Sequence, residues 1–138
     1  HSFPSRRYCD LSSATGDSSA SSATGYSSAS SATGGGSASL TTGIKSASSA
    51  TGGGSASLTT GWESKSSVET EKGGAVAIAI GKDSMAKGSL NSFLVLADWK
   101  VIENEQQIDG VYSTKVDGKK IKADTFYKVV AGVFMEVK

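Results

Sequence analysis

The sequence predicts an all-β chain, a parallel β-solenoid (β-roll) of nonapeptide repeats with about 18 residues per coil, followed by a small antiparallel β cap. Three observations carry this. Glycines fall at 16, 25, 34, 43, 52 and 61 with no slip in the period of nine. Within the best-defined unit larger and smaller residues alternate, which is the two-residue side-chain repeat of a strand. The composition then changes, because 22 of the 27 charged residues lie at or after Glu63.

The chain has 138 residues, among them 26 Ser, 17 Gly, 16 Ala and 11 Thr, so half of it removes little apolar area from water and an ordinary enzyme fold is not expected. A formal net charge of +1 gives no general reason for nucleic acid or an acidic membrane as partner. No apolar run is long enough to predict a membrane span. Residues 1–10 read as an irregular N-terminal segment that holds the only His, the only Pro, Arg6, Arg7 and the lone Cys9. A single cysteine rules out an internal disulfide and a thiolate metal cluster.

Residues 11–81 form the repeat. The units read DSSASSATG, YSSASSATG, GGSASLTTG, IKSASSATG and GGSASLTTG, and then the degenerate WESKSSVET. The 18 residues from Gly35 nearly recur from Gly53, which favours a pair of nonapeptides as the structural unit. After a two-residue insertion, Glu71 and Lys72, the unit continues as GGAVAIAIG from Gly73 to Gly81. Its hydrophobic alternation assigns Val76, Ile78 and Ile80 to the interior and Ala75, Ala77 and Ala79 to the exterior. Carried back, Ala38, Leu40, Thr42, Ala56, Leu58 and Thr60 point inward, whereas Ser37, Ser39 and Thr41 point outward. Gly16, Gly25, Gly34, Gly43, Gly52, Gly61 and Gly81 close the strands at coil turns, where a positive φ or close backbone approach disfavours a Cβ. Residues 17–81 then supply between three and four coils, a body about 15–20 Å long with a thin core.

Residues 82–138 read as the cap. SFLVLADWKVI (92–102) and QIDGVYSTKV (107–116) flank the polar turn ENEQ. Asp117-Gly118 predicts a hairpin turn into a strand at 119–123. Strands at 126–130 and 133–137 flank Ala131-Gly132. The cap is expected to cover the last coil and its Val76, Ile78 and Ile80 layer, with Phe93, Trp99, Tyr127 and Phe134 as its own core.

No catalytic, cofactor or metal site is expected. A calcium roll needs an aspartate in each turn, but the turn positions are Asp17, Tyr26, Gly35, Ile44, Gly53 and Trp62. One His cannot supply a zinc site or a Ser-His-acid triad, and Asp98, Glu103, Glu105, Asp109, Asp117 and Asp124 are scattered beside lysines. Lys115, Lys119, Lys120 and Lys122 form a modest basic cluster. Candidate surface-binding residues are Tyr26, Ile44 and Trp62, large side chains at turn positions of a bland repeat. Between Leu11 and Gly61 only Asp17 and Lys45 are charged, so the strand faces are expected to meet another subunit, giving a dimer or trimer.

SSATGDSSASSATGYSSASSATG, GGAVAIAIGKDSMAKGSLNSFLVLADWKV and KIKADTFYKV resemble a family of uncharacterised prophage and gut-bacterial nonapeptide-repeat proteins, whose cap ends in an IKxDTWY-type motif. The resemblance covers Leu11 to Lys138 and implies the C-terminal part of a longer protein. GAVAIAIGKDSMAKGS (74–89) is similar, more distantly, to head repeats of trimeric autotransporter adhesins, which implies coil geometry and self-association. The expected function is a non-catalytic structural or binding module of a phage or mobile-element protein, virion-associated or cytoplasmic. The alternatives are a spacer and cap for an enzyme or modulator whose active part lies upstream or in the C-terminal segment, and adhesin-like binding at the cell surface.

Overall fold

The computed structural model describes residues 11–71 and 73–137. The readings of His1, Arg6, Arg7, Cys9 and the rest of 1–10, and of Lys72 in the insertion, lie outside the described residues. Ten strands wind as a parallel solenoid, two per coil: β1 (Leu11–Thr15), β2 (Ala20–Ala23), β3 (Ala29–Thr33), β4 (Ala38–Thr41), β5 (Ala47–Thr51), β6 (Ala56–Thr59), β7 (Lys65–Glu69), β8 (Val76–Ala79), β9 (Met85–Gly88) and β10 (Phe93–Ile102). Odd-numbered strands stack as sheet I and even-numbered ones as sheet II. Registers advance by 18 residues per coil, as in Ala29↔Ala47 and Leu40↔Leu58. The insertion makes one coil longer, so that Ala56 pairs with Val76 and Lys65 with Met85.

The alternation of the strands is as expected, but its phase is inverted. Ser37, Ser39 and Thr41 are 1, 3 and 0 % exposed, and Ala75, Ala77 and Ala79 are equally buried. Ala38, Thr42 and Thr60 are exposed, and Leu40, Ala56, Leu58, Val76, Ile78 and Ile80 are half-buried on the outer surface of sheet II. Size explains the inversion. Coils that turn every nine residues bring the two sheets too close for a Leu or Ile layer, and only Ser, Ala, Thr and an occasional Val fill the gap without overpacking. Along the interior one position runs Ala32, Thr41, Ala50, Thr59, Val68, Ala79, all buried.

A polar interior is tolerable because most of its hydroxyls find partners. Ser21 donates to Ser12 at 2.7 Å, and Ser30, Ser39 and Ser48 each donate at 2.9 Å to the serine nine residues earlier, crossing from sheet to sheet along the axis. Ser66 continues the pattern to Ser57 at 2.8 Å. The serines that open β5, β7 and β9, Ser46, Ser64 and Ser84, do more. Ser64 Oγ accepts the Ser46 N–H at 3.1 Å and donates to Gly43 O at 3.0 Å, and Ser84 Oγ does the same for the Ser64 N–H and Gly61 O, both at 3.0 Å. Each such hydroxyl staples its coil to the coil beneath. Thr41 and Thr59 depart from this, since their buried Oγ1 atoms have no partner among the described residues.

The turn glycines serve mainly close approach. A Cβ on Gly43, Gly61 or Gly81 would lie 1.7, 1.9 or 2.0 Å from the carbonyl oxygen of the glycine one coil below. Two residues after each turn glycine the chain enters the left-handed region, with φ of 69° and 70° at Gly36 and Gly54 but 58° at Lys45 and 56° at Glu63.

The antiparallel cap grows from both sheets. In sheet II β10 pairs along its whole length with β11 (Glu105–Lys115) in an antiparallel hairpin, which has a bulge at Asp98/Trp99. In sheet I β12 (Tyr127–Val130) pairs antiparallel with β9 and with β13 (Val133–Glu136). Contrary to expectation, Asp117-Gly118 does not start a hairpin and 119–123 is not a strand. The Asp117 carboxylate instead accepts the N–H groups of Lys119 and Ile121 at 2.8 and 3.1 Å, folding the segment into an aspartate-anchored loop. The cap core also differs. Tyr127 is buried in one cluster with Leu94, Leu96, Val116 and Ile121, and the partly buried Phe134 packs against that cluster, but Phe93 is 43 % exposed. The layer the cap covers is Val68, Ala77, Ala79 and Ala86, since Val76, Ile78 and Ile80 face out.

Removing the staple in Ser64→Ala should cost about 1–3 kcal/mol in urea unfolding, because two buried backbone groups lose their partner. Ser67→Ala, on the outer surface, should change stability by less than about 0.5 kcal/mol. Thr59→Val, which removes an unpartnered buried hydroxyl at constant shape, should leave stability unchanged or raise it by about 1 kcal/mol.

Candidate functional site

Three surface features follow from this geometry. The first is the outer face of sheet II. Because positions four, six and eight of each unit face out, they stack into rows at one coil per step. One row runs Ala20, Ala38, Ala56, Val76, Phe93 and another Ser22, Leu40, Leu58, Ile78, Val95. Leu40, Leu58 and Ile78 line a shallow depression of about 420 Å³ whose walls carry no charged residue. Apolarity rises toward the cap, from Ser22 through Leu to Ile78.

The second feature is a corner ridge next to that face. Tyr26, Ile44 and Trp62 occupy the same turn position in successive coils, held in line by hydrogen bonds from Ser27 N–H to Ile44 O and from Lys45 N–H to Trp62 O, both 2.9 Å. The structure therefore brings the three candidate binding residues into one column, each 43–44 % exposed. Lys82 is the next member, its Nζ 5.7 Å from the Trp62 ring centroid and 3.0 Å from Asp83. Trp99 meets Trp62 edge-on, centroids 6.2 Å apart, and donates from Nε1 to Ile80 O at 2.9 Å. A hollow of about 370 Å³ between Ile44 and Trp62 is floored by Thr42 and Thr60, the row that joins the ridge to sheet II.

The third feature is the outer face of sheet I, a groove of about 510 Å³ that follows the coil axis over the outward serines Ser13, Ser31, Ser49 and Ser67. At its cap end stand Phe126, Lys65 and Lys87. The sequence reading missed this pair, although there was a signal: Lys65 takes the position that Ala29 and Ala47 hold in the two preceding coils, and Lys87 the position of Ser31, Ser49 and Ser67.

The scattered acids stay scattered. Asp98 is buried and its Oδ2 accepts the Gly132 N–H at 3.1 Å, which fixes the β12–β13 turn. Asp109 pairs with Lys100 at 2.8 Å; the carboxylate's hydrogen bond and charge raise the lysine above its ordinary range. Lys122 pairs with Glu136 at 3.3 Å, while Lys119 and Lys120 are exposed on the aspartate-anchored loop. Among the described residues no three His, Cys, Asp or Glu side chains converge as metal ligands, and no helix is long and apolar enough to cross a membrane.

Compared with known proteins, the chain matches no family model, no curated protein and no solved structure. It is a β-solenoid repeat module. Its rigidity comes from the coil-to-coil hydrogen bonds and the serine staples.

The N–H groups of Lys119 and Ile121 hold the Asp117 carboxyl below its ordinary value. A depressed carboxylate lends stability that is present above its unfolded value and is lost as pH falls through its folded value. Acidification through the carboxylate range should therefore open the 117–121 loop, read as lower amide protection factors at Lys119 and Ile121 once the intrinsic pH dependence of exchange is divided out. Asp117→Asn should remove that pH dependence.

Proposed function

We propose that this module is a non-catalytic structural element that assembles with copies of itself through the outer face of sheet II, within a phage or mobile-element protein. The observation that carries the reading is the charge-free apolar face running through Leu40, Leu58, Ile78 and Val95. Parallel sheets are ordinarily covered on both faces. Here one face is covered by the partner sheet, and the other presents aliphatic rows to solvent. Five strands at about 4.8 Å give a face about 24 Å long, small beside a standard interface, so the association expected from one face is concentration-dependent.

The ridge of Ile44, Trp62 and Trp99 continues this face around the corner and supplies the aromatic anchors that interfaces favour. Its side chains are read as the margin of the contact. The prophage and mobile-element assignment rests on the resemblance of the repeats and of the IKADTFY segment, and with it goes a virion-associated or cytoplasmic location.

Light scattering over a dilution series should show a dimer or trimer that dissociates, with tryptophan emission shifting to the red as Trp62 is released. Leu58→Lys should give a monomer with an unchanged β-type circular dichroism spectrum. A wild-type chain that stays monomeric at all concentrations would remove the basis of the reading.

A further inference from the structure

We propose that the groove on sheet I binds a linear anionic glycan laid along the coil axis, with Lys65 and Lys87 taking its carboxylate or sulfate group. The inference uses the face opposite the assembly surface and does not depend on assembly.

Charge comes first. Lys65 Nζ lies 5.4 Å and Lys87 Nζ 5.0 Å from the centroid of the Phe126 ring, so one ring draws two ammonium groups to within about 10 Å of each other. Among the described residues neither lysine has a carboxylate within ion-pair distance, unlike Lys82, Lys100 and Lys122, which pair with Asp83, Asp109 and Glu136. Two cations held together without a counterion favour an anion that bridges them. They stand at the cap end of the groove, where Lys65 follows Ala29 and Ala47 in its row and Lys87 follows Ser31, Ser49 and Ser67 in its own.

Spacing selects the class of anion. Beyond the lysines the floor offers one outward serine per coil, Ser67, Ser49 and Ser31, repeating at about 4.8 Å. An extended peptide laid along the same axis presents same-side groups every second residue, about 6.8 Å apart, and drifts out of step with the serines. A pyranose chain advances by nearly the coil spacing per sugar, so its hydroxyls can keep pace with the ladder. A uniformly charged duplex is disfavoured, because Glu69, Glu71 and Asp124 line the neighbouring depression on the far margin of this sheet.

The test is titration calorimetry of the full chain with three hexasaccharides: an oligogalacturonate, a heparin fragment and neutral maltohexaose. At least one anionic hexamer should bind at submillimolar Kd and the neutral one at least tenfold more weakly; the two anionic arms separate carboxylate from sulfate recognition. Lys65→Ala with Lys87→Ser installs the residues that other coils already carry at those positions, so it should fold normally and lose at least tenfold in affinity. Ser49→Leu fills the floor without changing charge and should weaken binding to a similar degree. The proposal is overturned if neither anionic hexamer binds, if Ser49→Leu binds like wild type, or if a short DNA duplex competes at equal affinity. Assembly is read independently by light scattering on the same samples, so failure on sheet I and failure on sheet II are distinguishable.

Discussion

The distance between the two sheets governs this molecule. A coil that must complete each half-turn in nine residues, with a tight turn in every half, has no room for a layer of branched side chains between its strands. The interior is therefore built from Ser, Ala and Thr, and the free energy of burial per coil is low compared with an ordinary core. Coil-to-coil hydrogen bonding takes up the role that side-chain volume plays elsewhere. The strand-opening serines, Ser46, Ser64 and Ser84, each satisfy an amide and a carbonyl of the coil beneath. The turn glycines let those carbonyls come close enough to be reached.

The same constraint writes the surface. Side chains too large for the interior are displaced to the outer face of sheet II, and the chain keeps charge away from it until the cap. Sheet I carries mostly Ala, Ser and Thr outward, with Leu11 at its free end, until Lys65 and Lys87 stand beside Phe126. The two faces thus differ in chemistry although they come from nearly the same nonapeptide. That difference arises because, from β3 to β6, alternate units carry SSATG or SLTTG, placing Leu on β4 and β6 but not on β3 and β5. At the cap end larger residues such as Leu94, Leu96 and Tyr127 enter the core.

The period, the insertion at Glu71 and the antiparallel close of the chain were legible in the sequence, because glycine spacing and strand alternation act locally. The phase of the alternation was not. Hydrophobicity assigns Leu40, Leu58 and Ile78 to the interior, and only the coil width, a tertiary quantity, reverses it. A cue did exist in the serine at the third position of the units, at 19, 28, 37, 46, 55, 64 and 84, whose constancy fits a buried structural role better than a solvated one. The column of Tyr26, Ile44 and Trp62 followed from the period alone. Lys65 and Lys87 stood out against the small residues of the preceding units, but Phe126 is far from both in sequence, so its contact with them emerged only once β12 had been placed against β9. Asp117-Gly118 misled because the carboxylate makes its bonds forward, to Lys119 and Ile121.

The inverted phase is the claim on which the rest stands, and adjacent residues of β6 test it. Denaturant unfolding of Ser57→Leu and Leu58→Ser in dilute solution compares an enlarged interior with a trimmed exterior. The narrow coil requires that Ser57→Leu lose several kcal/mol or fail to fold, since no rotamer fits between the sheets, while Leu58→Ser unfolds near the wild-type midpoint. The reverse order, with Leu58→Ser collapsing and Ser57→Leu tolerated, would contradict the account.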